Sequence, residues 1–179
     1  MNPEILVLFT VGTSASGKST WAQDLGTRFP HLQMEILERD QLRREQHSKS
    51  RGTPFSWSDW DVAQESEIQT QWLERVRDLL SADVLILADT HIDPEQLARE
   101  AALLCEMGVR EMAVQYFPAQ PLVELIRKDQ GRAYPVGAAV LREQIQRLQP
   151  EDAYWQALEA AAASCAKLKT EIVASGVPA

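Results

Sequence analysis

Eight consecutive residues carry the clearest chemistry in the chain: Gly12-Thr13-Ser14-Ala15-Ser16-Gly17-Lys18-Ser19. They satisfy GxxxxGK(S/T) in full, with an apolar, β-branched run (Ile5–Val11) before them and a helical pattern after them. Glycines at these positions let the backbone curl until successive N–H groups converge on an anion. The helix that follows adds the positive end of its dipole. Lys18 is spaced to reach the β- and γ-phosphates of a nucleotide, and the Ser19 hydroxyl to ligate Mg²⁺. Gly12 through Ser19, extended to Thr20, is therefore the expected ATP-binding segment. ATP and Mg²⁺ are the implied cofactors.

A second set of residues could serve the group that receives the phosphate. Asp40 lies just beyond a short strand pattern, Gln33–Leu37, where a carboxylate could take a proton from an attacking hydroxyl. It could equally cap the next helix. Arg43 would share a helical face with Asp40 and could hold an anionic part of the acceptor. Asp89-Thr90-His91 follows a third strand pattern. Asp89 there could hold Mg²⁺ through water, orient the acceptor-binding arginine, or simply end the strand, with Thr90 beside it at the acceptor. His91, a lone histidine in a turn, reads as structural. Between two helical patterns, Arg127-Lys128-Asp129-Gln130-Gly131-Arg132-Ala133-Tyr134-Pro135 reads as a lid. An arginine from it, Arg132 or Arg127, would neutralise charge on the transferring phosphoryl group. A solvated basic loop is the plainer alternative.

Strands and helices must alternate to place these residues together. Ile68, Trp72, Val76 and Leu79 recur at helical spacing within a segment predicted as helix over 58–80. Val84–Ala88 is continuously apolar, as a strand buried on both faces is. Asp93-Pro94-Glu95-Gln96 predicts a helix start with Asp93 as cap and Gln96 reaching back, and Gly108 a helix end. Val109–Phe117 is a fourth strand pattern, followed by helices at about 121–129, 137–148 and 151–169. The expectation is an α/β fold of the P-loop NTPase/kinase type: one domain over 1–179, with a four- or five-stranded parallel sheet, flanking helices and an arginine-bearing lid.

Composition excludes several other functions. The 179 residues are 45% apolar and 25% charged, which argues for a globular chain. No apolar run approaches the ~20 residues that span a bilayer, and no basic, apolar leader pattern opens the sequence. A cytoplasmic protein with no membrane partner, Cys105 and Cys165 reduced, is expected. A net charge of −8 disfavours clamping long duplex DNA. The stretch 38–51 is an exception, with Arg39, Arg43, Arg44, Lys49 and Arg51 against Glu38, Asp40 and Glu45. No guanine-reading NKxD motif follows any strand pattern. Oligomeric state is not legible.

GTSASGKSTWA, ERDQLR, LADTHIDPEQ and ELIRKDQGRAYPVGAAVL together resemble the kinase domain of bacteriophage polynucleotide 5′-hydroxyl kinases, in order and spacing, over about residues 4–148. The resemblance implies transfer of the γ-phosphate of ATP to the 5′-hydroxyl end of DNA or RNA, in host cytoplasm if the chain is phage-encoded. It matches Lys18 and Ser19 to the phosphate-loop pair and Asp40 to the general base. Arg43 matches the grip on the acceptor's 3′-phosphate, Asp89 its support, Arg132 the lid arginine and Tyr134 a position that packs on the terminal base. The lid is about two residues shorter here, so Arg127 could exchange roles with Arg132. Relatives of this pattern phosphorylate other hydroxyls as well, including hydroxymethylated pyrimidines in phage DNA and small molecules. A nucleotide-binding switch without catalysis is the rival from another class.

Overall fold

A computed structural model describes residues 4–52, 55–163 and 169–170; of Asp59, Lys169 and Thr170 only the backbone is described. Cys165 and the end of the 151–169 helix prediction lie outside the described residues.

The first apolar run becomes β1 (Leu6–Val11), which is buried on both sides from Val7 onward. Val7, Phe9 and Val11 point to one face and Leu8 to the other, so neighbouring residues serve two different cores. β2 (Met34–Leu37), β3 (Val84–Leu87), β4 (Glu111–Tyr116) and the two-residue β5 (Lys169–Thr170) complete a sheet ordered β2-β3-β1-β4-β5. Every pairing is parallel, with Leu6 opposite both Val84 and Glu111. The expected parallel α/β sheet is present.

α1 (Lys18–Arg28) covers one face through Ala22 and Leu25. The other face lies against α2 (Arg39–Arg51), α3 (Glu65–Leu79), α4 (Pro94–Glu106) and α7 (Glu151–Ala163), through Leu42, Ile68, Trp72, Leu97, Leu104, Tyr154 and Leu158. α5 (Leu122–Gln130) and α6 (Ala138–Arg147) pack on each other after β4. Cys105 is buried in the larger core, as expected. No helix among the described residues is long and apolar enough to cross a membrane.

Two local predictions are corrected. The helix expected over 58–80 begins only at Glu65, after separate single 3-10 turns at Trp57–Asp59 and Val62–Gln64. Trp60 and Asp61 between them are extended, and the Asp61 carboxylate accepts the Ala63 N–H. The Trp60 indole packs toward Phe55 and donates to Glu65, which holds this break in place. At α4, Asp93 accepts the Glu95 N–H as a cap, but Gln96 does not reach back. Its amide donates instead to Glu100 at 2.8 Å.

Candidate functional site

Parallel topology places the carboxyl ends of β1, β2, β3 and β4 along one edge, and the segments that follow them form a single cleft of about 1050 Å³. Its floor is the loop between β1 and α1. Gly12 has φ +156°, and a Cβ there would lie 2.8 Å from the Phe117 Cβ and 3.0 Å from its carbonyl oxygen. Only glycine fits. Gly17, at φ +105°, turns the chain into α1, and Ala15 takes the left-handed region at φ +61°. The loop is therefore held in a curl that is costly for ordinary residues.

Lys18 is buried, and its ammonium donates to the carbonyls of Gly12 at 3.0 Å and Thr13 at 2.6 Å. Burial pulls its pKa down to about 8 against the opposing pull of Asp40, Asp89 and Glu38, while Arg132 lowers it further. The Thr13 and Ser16 hydroxyls are buried without a hydrogen-bond partner. A lysine held on its own loop's carbonyls, two orphaned hydroxyls and a helix N-terminus together fit a phosphate chain. The Ser19 hydroxyl donates to Glu38 Oε1 at 2.7 Å, at the cleft wall where a divalent cation would sit against the phosphates. Glu38 carried no role in the sequence reading.

Asp40, Arg43, Asp89, Thr90, Thr20 and Arg132 all line the same cleft, so the donor and acceptor candidates do converge. Asp40 is the second residue of α2, and its carboxyl is pushed above the usual range by burial and by the charge of Asp89, against Arg43 and Arg44. The Thr90 contact is made by backbone, its carbonyl accepting the Gly12 N–H at 2.9 Å. His91, expected as structural, is buried at φ +40° with Nδ1 2.9 Å from the Thr10 carbonyl and Nε2 3.2 Å from Glu100.

The arginine network differs from the sequence expectation. Asp89 does not support Arg43. It accepts the Arg39 N–H at 2.8 Å and the Arg39 guanidinium at 2.6 Å. Arg43 is instead gripped by Asp40 at 2.7 Å and by both oxygens of Glu65 at 2.9 Å. Arg39 and Arg43 share one face of α2 a turn apart: Arg39, at the helix start, reaches Asp89 after β3 and Glu100 on α4, while Arg43, a turn further along the axis, meets Glu65 on α3. With two carboxylates on one guanidinium, Arg43 is not a free anion grip. The contrast in burial decides how much each cluster matters. Arg43 and Glu65 are 19% and 38% exposed, where such pairs contribute ~0–1 kcal/mol. Arg39 and Glu100 are 6% and 4% exposed, and breaking a pair so buried costs ~3–5 kcal/mol. Nothing in the sequence distinguished Arg39 from its four basic neighbours.

The lid is ordered by Asp129, a buried carboxylate that accepts the N–H groups of Val136 and Gly137 and pairs with Arg132 at 3.2 Å. Arg132 lines the cleft, whereas Arg127 is not among its lining residues. Tyr134 does not line it either. Its ring meets Phe55 edge-on at 5.8 Å, with the Arg44 guanidinium 5.2 Å above it, which docks the lid onto the segment after α2. Trp57 and Trp60 also pack around Phe55.

The model of the AAA_33 family, described as "AAA domain", matches residues 7–151. The chain belongs to that family. Among solved structures, a shikimate kinase from Acinetobacter baumannii in complex with shikimate superposes with a TM-score of 0.51 at 12% identity, covering 97% of this chain and 86% of that one. A gluconokinase from Sinorhizobium meliloti 1021 gives a TM-score of 0.48 at 15% identity, covering 92% and 94%. No curated protein matches the sequence. This AAA_33 member has the P-loop kinase fold.

Proposed function

We propose that this AAA_33 protein is an ATP-dependent phosphotransferase acting on a hydroxyl acceptor, with Asp40 as the general base. The observation that carries the reading is the convergence of Asp40 with Lys18 and Arg132 on one cleft, where burial and the charge of Asp89 make the Asp40 carboxylate more basic than usual. A regulatory switch needs the phosphate loop but has no use for a carboxylate lining the same cleft.

Lys18 leaves its loop carbonyls for the β- and γ-phosphate oxygens, and the amides of the Gly12–Ser19 curl hold the chain of phosphates in line. The Ser19 hydroxyl would hold Mg²⁺, which would supply charge neutralisation for the phosphates. Asp40 accepts the hydroxyl proton as the acceptor oxygen attacks the γ-phosphorus and the bond to the β-phosphate oxygen breaks. Arg132 meets the charge on the transferring group from the lid side.

For the acceptor, the polynucleotide 5′-hydroxyl end is the specific reading, supported by Arg43 on the cleft wall beside Asp40. It requires Arg43 to exchange Glu65 for an acceptor phosphate. A compact hydroxyl acceptor requires no such exchange. The test is transfer from γ-³²P-ATP to a panel: a 5′-hydroxyl oligonucleotide, its 5′-phosphorylated twin, a hydroxymethylated duplex, a nucleoside 3′-phosphate, gluconate and shikimate. Label on the 5′-hydroxyl strand and not its twin is the result expected of an end kinase. Label only on a small molecule replaces the acceptor and keeps the chemistry. A wild-type chain that labels none and releases no phosphate to water overturns the enzyme reading.

A further inference from the structure

Running from the cleft wall into the core is a charged cluster that the proposed chemistry does not use directly: Arg39, Asp89 and His91, which line the cleft, and the buried Glu100 behind them. Asp89, at the end of β3, holds both the backbone N–H and the guanidinium of Arg39, the first residue of α2. The other end of the guanidinium reaches Glu100 on α4 at 2.7 Å and Gln69 on α3 at 3.3 Å, and its plane lies over Trp72 at 4.2 Å. Glu100 is fixed in turn by Gln96 and by His91. His91 bonds the Thr10 carbonyl, and the Thr10 hydroxyl donates to the Asp89 carbonyl at 2.9 Å. Because Thr10 belongs to β1, two residues before the phosphate loop begins, the bonds form a closed circuit from that loop to the N-terminus of α2.

We infer that Arg39, gripped by Glu100, is the positioning residue that fixes Asp40 relative to the phosphate loop. This rests on the reading of Asp40 as the base. Asp40 is bonded to Arg43, which rides on the same helix and moves with it. The Arg43–Glu65 pair ties α2 only to α3, at a half-exposed site. Among the described residues, Arg39 is the side chain that joins the start of α2 to the segment after β3, to α3 and to α4 at once. A guanidinium is suited to that task because its planar fork serves three acceptors in fixed directions, which a lysine ammonium cannot do. A displacement of about 1 Å at a reacting group costs on the order of a hundredfold in rate, so the anchor is a catalytic requirement as well as a structural one.

The test is a kinetic cycle of Arg39→Lys against Asp40→Asn, read on the acceptor that wild type labels in the panel or, where none is labelled, on phosphate release to water. Arg39→Lys is expected to lower kcat about tenfold or more while KM for ATP stays within about threefold, and Arg39→Lys/Asp40→Asn to be no slower than Asp40→Asn. Independent, multiplying losses, or equal changes in kcat and KM for ATP, overturn the positioning role. A merely structural residue lowers the melting temperature but multiplies with Asp40→Asn. If Arg39→Lys does not fold, Glu100→Gln carries the same cycle, with the same pattern expected. Full turnover in Asp40→Asn means that the base reading has failed, and the inference falls with it. A dead Asp40→Asn beside an unaffected Arg39→Lys overturns the inference alone.

Discussion

At the scale of single residues, the site is built from side chains held in costly states. Gly12 has no room for a methyl group, with Phe117 2.8 Å from where its Cβ would be. Gly12→Ala should therefore weaken nucleotide binding by at least tenfold and lower the melting temperature, measured by isothermal titration calorimetry and thermal melts. Lys18 gives a pH signature. The folded chain releases its proton near pH 8 and the unfolded chain near 10.5, so between these values the unfolded state binds more protons. Stability of the nucleotide-free protein should rise with pH across that window, as the buried charge is relieved. ATP affinity should fall over the same range, because neutral Lys18 has no charge to offer the phosphates. Glu100 runs the other way. Burial pushes its carboxyl up, but the His91 and Gln96 hydrogen bonds and the Arg39 charge outweigh it and bring it to about 2. Its stabilisation is complete above the ordinary 4.5 and is lost as pH falls toward 2, so Glu100→Gln should flatten acid denaturation there. Lys18 was legible in sequence because its spacing from two glycines is unusual. Arg39 and Glu100 were not, since their partner lies sixty-one positions away and only the fold brings them within 2.7 Å.

At the scale of elements, the strands were legible wherever apolar residues ran continuously, and all four long patterns became parallel strands within two residues of their expected ends. The helix after the second strand was harder to see. α2 is thirteen residues of almost wholly polar sequence, with Leu42 and His47 as its buried anchors beside Arg39, so periodicity had little to detect. The lid was visible as a basic loop between two helices. Its organiser, Asp129, read as one more charged residue until the fold showed it receiving two backbone N–H groups. Asp129→Ala removes the shared acceptor that orders both donors, and with Val136 half-buried and Gly137 exposed, water takes its place. The expected outcome is faster tryptic cleavage at Arg132 and a lower kcat, with the melting temperature of the sheet core nearly unchanged. Unchanged cleavage would show that Tyr134 on Phe55 suffices to hold the lid.

At the scale of the whole molecule, a charge of −8 surrounds a cleft whose lining balances acidic against basic side chains. A protein of this kind can grip only a few phosphates, so any binding of an oligonucleotide should lose little affinity between low and moderate salt compared with a many-contact binder. The sequence made the fold class readable because motif and alternation agree, and the family match over residues 7–151 covers the same span. The acceptor was less readable. Its specificity depends on which carboxylate each arginine chooses, and that choice is made by helix packing across α2, α3 and α4. The central claim is that Asp40 serves transfer and not nucleotide binding. It is tested most directly by measuring ATP affinity and γ-phosphate turnover side by side in wild type and Asp40→Asn. The account expects affinity within about threefold and turnover reduced at least a hundredfold, within the range that general base catalysis contributes. Turnover that survives the substitution, or a loss of affinity as large as the loss of turnover, would contradict it.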